Sequence, residues 1–191
     1  MQALDAHGLT ENTLVVLCSD NGPVLDDGYK DGAVEKLGKH QPAGPYRGGK
    51  YSVFEGGTRT PFITRWPGRI EPGVSDEIVC TVDFAASFAA LVGEKLPDDA
   101  CRDSHNVLDA LLGKPGAKGR DHLLQQDNNG NKLGLRQGDW KLVRGGKKEK
   151  VQLFNLARDP GEQTDLAEQE PARLRALQAL LDKIVADGRT R

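Results

Sequence analysis

One segment limits what this chain can fold into more than any other. The apolar run Thr13-Leu14-Val15-Val16-Leu17-Cys18 stops abruptly at Ser19-Asp20-Asn21-Gly22-Pro23. Six apolar or β-branched residues in a row read as a buried strand, and the Asn21-Gly22-Pro23 turn signal ends it. Neighbouring strand residues point to opposite faces, so Asp20 and Asn21 can converge on one ion only because the strand has ended before them. A carboxylate beside an amide oxygen suits a hard cation such as calcium or magnesium, with further ligands supplied from elsewhere. On these residues alone an ordinary strand and turn is an equal reading.

The rest of the chain organises around that strand. Residues 3–9 read as the last turns of a helix stopped by Gly8, as though the chain began inside a domain. From Gly22 to Gly57 glycines, lysines and prolines replace any periodicity, which predicts a long irregular and functional loop. Residues 61–67 form a second short strand closed by Pro67-Gly68, and 83–93 a helix stopped by Gly93. A polar stretch at 94–104 suggests a boundary near residue 100, dividing the chain into 1–100 and 101–191. Beyond it come a short helix at 108–112 and strands at 121–126, 133–137, 140–144 and 151–156, separated by glycine-containing turns. That is the pattern of an antiparallel meander. Leu174, Leu177, Leu180, Leu181, Ile184 and Val185 then mark one stripe of an amphipathic helix over 171–186 that should cover a sheet face.

Composition excludes several functions. A formal net charge of -2 and 28% charged residues give no global electrostatic reason to bind nucleic acid or an anionic membrane. No apolar run approaches the roughly 20 residues of a membrane-spanning helix. The polar start lacks the pattern of a signal peptide, and the compartment stays open. The three cysteines, Cys18, Cys80 and Cys101, show no zinc spacing; the first two read as buried apolar residues and Cys101 as exposed. Lys36, Lys39 and Lys147 read as solvated charges.

Three motifs carry a resemblance. These are Ser19-Asp20-Asn21-Gly22-Pro23; Gly44-Pro45-Tyr46-Arg47-Gly48-Gly49-Lys50 leading to Glu55-Gly56-Gly57-Thr58-Arg59-Thr60-Pro61; and Leu153-Phe154-Asn155-Leu156 with Asp159-Pro160 and Glu162. In order and spacing they resemble the C-terminal portion of the type I sulfatases, in the alkaline phosphatase superfamily. The resemblance implies an α/β fold: part of a sulfatase-type sandwich, with a mixed sheet and helices, plus a small α+β subdomain with a four-stranded antiparallel sheet and a C-terminal helix. It implies sulfuric ester hydrolysis on an aryl or carbohydrate sulfate. Asp20 and Asn21 match metal ligands for calcium, with magnesium as the other candidate, and Lys50 matches the lysine on the substrate's sulfate.

Arg47, Glu55 and Arg59 are expected to shape the loop through buried ion pairing, and Glu162 with Asp165 to organise the entrance to the last helix. His40 is a candidate for the substrate pocket, with a surface position as the alternative. The family's formylglycine nucleophile comes from a Cys/Ser-x-Pro/Ala-x-Arg motif that none of these cysteines or serines matches, so the isolated chain is expected to be inactive. A phosphate or phosphonate ester hydrolase of the same superfamily and a non-catalytic binding or assembly module are the competing readings. An exposed edge on strand 13–18 would favour self-association.

Overall fold

The computed structural model describes residues 1–146 and 149–191, so Lys147 lies outside the described residues. The chain divides into two compact units, each assembled from separate stretches of sequence. The first comprises Met1–Cys18, Phe62–Leu123 and Ile184–Arg191; the second comprises Ser19–Pro61 and Leu124–Lys183.

In the first unit the helix α1 (Gln2–Ala6) leads through a 3-10 turn to β1 (Val15–Cys18), which pairs antiparallel with β2 (Phe62–Arg65). Among the described residues β1 pairs with β2 alone. Leu17 faces Ile63 across the pair, and both are more than half exposed. Trp66 closes the end of β2, buried and donating its indole N–H to Glu11 O at 2.9 Å. Further along this unit, α4 (Phe84–Leu91) stacks Phe84 on Phe88 and sets Phe84 against Phe62, and the single-turn α5 (Leu108–Leu111) follows, with Leu111 buried.

A buried charge pair ties this unit together. Asp83 is fully buried and accepts Arg120 Nη1 at 2.7 Å, the His105 N–H at 2.9 Å and the Cys80 N–H at 3.1 Å. Both carboxylate oxygens are therefore satisfied, as an ion withdrawn from water requires. Cys80, expected to be buried, is half-buried, because its sulfur accepts a backbone N–H in the turn ahead of α4. Cys18 is half-buried too, and Cys101 is exposed as expected.

The second unit is built on a four-stranded antiparallel sheet in the order β3 (His122–Gln126, of which Leu124 onward belongs to this unit), β4 (Leu133–Gln137), β5 (Trp140–Arg144) and β6 (Gln152–Asn155). This is the meander expected from the turns. Leu135, Leu142 and Leu153 stand in register across β4, β5 and β6 and are fully buried. On the other face Val143, Phe154 and Leu156 pack with Val53, which arrives from the long loop. The helix α6 (Pro171–Asp187), whose residues from Ile184 onward are counted in the first unit, buries Leu177, Leu181 and Ile184. Val185, expected on the stripe, is 52% exposed, because it lies one helical step past Ile184 and off the buried edge.

The stretch from Gly22 to Gly57, expected to be irregular throughout, carries two single-turn helices, α2 (Ala33–Lys36) and α3 (Glu55–Thr58). Neither could be read from periodicity, since four residues are too few to show a period. Among the described residues no helix is long and apolar enough to cross a membrane.

Candidate functional site

Glycine contacts hold the loop together. Gly22 donates its N–H to Gly57 O at 2.9 Å, and a Cβ on Gly22 would lie 1.8 Å from Gly56 O. Gly49 lies so close to Pro23 that a Cβ there would meet Pro23 O at 2.5 Å. Gly56 faces the carbonyls of Arg47 and Gly48, and Gly57 those of Gly49 and Ser52, with equally little room. Backbone packs directly on backbone, which only glycine permits. This explains why a helical turn, α3, contains two consecutive glycines despite their poor helix propensity.

The consequence is that two distant motifs become one structure. The Lys50 N–H donates to Pro23 O at 2.8 Å and the Gly56 N–H to Arg47 O at 2.8 Å. Thus the segment Asp20-Asn21-Gly22-Pro23 and the segment Gly48-Gly49-Lys50 are stitched side by side. Asp20 is exposed, and its Oδ1 accepts the Asn21 N–H at 3.0 Å. Asn21 Nδ2 donates to Gly22 O at 2.9 Å, which commits the amide nitrogen and leaves Oδ1 as the atom for a ligand.

Lys50 is half-buried, with Nζ 5.2 Å from the centre of the Tyr51 ring. A cavity of about 260 Å³ opens beside it, walled among others by Pro23, Leu25, Asp26, Pro42 and Tyr51. His40 is exposed on the segment that follows α2 and does not line this cavity. Among the described residues no group of three or more His, Cys, Asp or Glu side chains gathers as a metal cluster. Asp20 and Asn21 therefore offer oxygen donors of the right hardness for calcium, but only part of a coordination shell.

Behind the loop lies a buried ion cluster. Lys141 is fully buried, with Nζ 2.9 Å from Glu55 Oε1 and 3.2 Å from Glu162 Oε1. Glu162 Oε2 accepts the Glu55 N–H at 2.7 Å, and Glu162 O accepts Arg47 Nη1 at 3.0 Å. Arg136 and Arg59 approach Glu55 from more exposed positions at 3.4 and 3.6 Å. Glu55 is thus paired with a lysine from β5 as well as with arginines, and Arg47 stacks on Phe54 with its guanidinium 3.9 Å from the ring centre. Burial pushes the Glu162 carboxyl above the usual range, and Lys141 partly counters it.

Lys141 carries no signal in the sequence, where a lysine in a strand reads as solvent-facing. Its only clue is its place in the central run Trp140-Lys141-Leu142-Val143, between two strands that pair on either side. Glu162 and Tyr51 adopt φ values of +53° and +78°, and no residue type at either position foretold it.

Comparison with known proteins agrees with this anatomy. Residues 1–94 match the family model described as Sulfatase, and residues 49–189 match N-sulphoglucosamine sulphohydrolase, C-terminal. The chain is 41% identical to an N-acetylgalactosamine-6-O-sulfatase of Bacteroides thetaiotaomicron over 96% of its own length and 38% of that protein's. It is 35% identical to human Arylsulfatase A across 59% of the chain and 20% of that protein.

A solved sulfatase structure from work on glycosaminoglycan metabolism by the same Bacteroides superposes with a TM-score of 0.90 at 40% identity, covering 96% of this chain and 41% of that one. The structure of Ps i-CgsB with k-i-k-neocarrahexaose superposes at 0.75 and 26% identity, over 95% of this chain and 38% of that one. The chain spans about two fifths of the length of the relative it matches along nearly its whole extent. With the motifs, the fold and the family models in agreement, the chain belongs to the sulfatases, a family of sulfuric ester hydrolases.

Proposed function

We propose that the protein carrying this chain hydrolyses carbohydrate sulfate esters, with Lys50 binding the sulfate and Asp20 and Asn21 contributing ligands to a calcium ion. The observation that carries this reading is the clamp from Lys50 N–H to Pro23 O, which sets an ammonium-bearing loop against an acid–amide turn. Bound calcium would supply a fixed positive charge against the sulfuryl oxygens. The Lys50 ammonium stabilises negative charge on those oxygens as the S–O bond breaks, and the bond from its backbone N–H to Pro23 O fixes where that side chain starts. Asn21 offers its Oδ1 because its nitrogen is committed to Gly22 O.

The nucleophile is not among these residues, since the 191 residues contain no Cys/Ser-x-Pro/Ala-x-Arg motif. The isolated chain is accordingly inactive in this reading. A carbohydrate substrate is favoured because an N-acetylgalactosamine-6-O-sulfatase is similar to the chain over almost its full length.

The test is turnover of N-acetylgalactosamine 6-sulfate by the full-length protein, beside a phosphate monoester and beside the chain 1–191 alone. Lys50→Ala should lower kcat/KM by roughly 10²–10³-fold, the usual cost of losing one charge-stabilising donor. Preference for the phosphate ester, unchanged turnover in Lys50→Ala, or hydrolysis by 1–191 alone would each contradict the reading.

A further inference from the structure

The geometry points to Tyr51 as a substrate-contacting specificity residue, its ring stacking on the sugar that bears the sulfate; this rests on the sulfatase reading of Lys50. Tyr51 has φ +78°, a left-handed conformation that glycine adopts freely and an aromatic residue adopts only under strain. The strain is held in place: Tyr51 O accepts the Asn128 N–H at 3.1 Å, and the Lys50 and Ser52 N–H groups on either side bond to Pro23 O and Gly49 O.

Stability gives no reason for a large ring at this position. The side chain is 47% exposed and belongs to no core cluster, whereas glycine would adopt the same backbone without cost. Tyr51 instead lines, with Lys50, a cavity whose other lining residues include Pro23, Leu25, Pro42 and Asp26; Asp26 Oδ1 accepts the Gly28 N–H at 3.1 Å, which leaves Oδ2 as an acceptor. An aromatic face flanked by apolar walls and one acceptor suits a pyranose, which offers a C–H face to the ring and hydroxyls to the carboxylate. The Lys50 ammonium, 5.2 Å from the ring centre, then meets the sulfate carried by that sugar.

The experiment measures, on the full-length protein, KM for N-acetylgalactosamine 6-sulfate and the inhibition constant of inorganic sulfate. It compares wild type with Tyr51→Gly and Tyr51→Phe. Tyr51→Gly should raise KM about three- to tenfold, the value of one aromatic contact. The sulfate inhibition constant should stay within about twofold and Tyr51→Phe should match wild type within the same margin, since only the sugar contact is removed. In the chain 1–191, Tyr51→Gly should raise the thermal midpoint by about 2–4 °C through relief of strain, so that weaker binding is not unfolding.

Unchanged KM in Tyr51→Gly overturns the assignment. An equal rise in the sulfate constant also overturns it, because the ring would then act through Lys50 alone. A wild-type protein that does not turn over N-acetylgalactosamine 6-sulfate removes the carbohydrate-sulfatase reading itself, a result distinct from either.

Discussion

Replacing Lys141 by methionine keeps an unbranched side chain of similar volume and deletes an ammonium that is fully buried in the sheet. At an effective dielectric of about 20, ion pairs at 2.9 and 3.2 Å are worth about 6 and about 5 kcal/mol in gross attraction. Withdrawing the ions from water takes back several kcal/mol for each, and the two carboxylates repel one another. The net loss expected from breaking such a cluster on one side is about 3–5 kcal/mol.

The loss should depend on pH, and its sign follows from Glu162. Its folded-state carboxyl already titrates above the ordinary value of 4.5 because it is buried. A group raised in this way contributes stability that is complete below its unfolded value and fades as pH rises through the folded one. Lys141→Met removes the charge that opposes the shift, so the folded value climbs further and the fading window widens upward. Urea unfolding followed by Trp140 and Trp66 fluorescence should show a larger gap between wild type and variant at about pH 7.5 than at about pH 5. Adding Glu162→Gln to Lys141→Met should recover part of the loss at the higher pH. A variant within about 1 kcal/mol of wild type at both pH values, or a gap that does not change with pH, would refute the reasoning.

Three further outcomes test the glycine packing and the open strand pair. Gly22→Ala, whose methyl would lie 1.8 Å from Gly56 O, should destabilise the chain by at least the upper end of about 1–3 kcal/mol and abolish sulfate inhibition in the full-length protein. Gly73→Ala, at a site where a Cβ meets nothing nearer than 4.0 Å, should change stability by less than about 0.5 kcal/mol in the same urea titration. The chain 1–191 should associate through β1, whose Leu17 faces the equally exposed Ile63, and Leu17→Glu should shift its light-scattering mass toward monomer. A wild-type chain that stays monomeric at high concentration removes that expectation.

Much of the fold was legible because its elements are periodic. Leu177, Leu181 and Ile184 repeat at helical spacing, and the four strands of the meander are punctuated by glycine turns, so pattern and structure coincide there. The parts that escaped have no period. Single turns such as 33–36 are set by local hydrogen bonds, and the buried charge cluster is assembled from Glu55, Lys141 and Glu162, residues far apart in the chain.

The motif around Gly48-Gly49-Lys50 is visible in the sequence, but the reason for its glycines is not. It lies in Gly22 and Pro23, whose contacts with that loop appear only when the chain is folded. Tyr51 was hidden for the opposite reason, since a tyrosine beside a motif gives no hint of left-handed backbone.

A frame in which carbonyls press on glycines has a consequence for how such a protein diversifies. Any added methyl at Gly22, Gly56 or Gly57 collides with main chain, so the scaffold that fixes the polar turn tolerates almost no variation. Tyr51 and Asp26 are exposed beside it and line the cavity, and neither is among the close contacts of those glycines. Under the proposed reading, taste for one sugar over another can then drift at Tyr51 and Asp26 while the loop that carries Lys50 stays as it is.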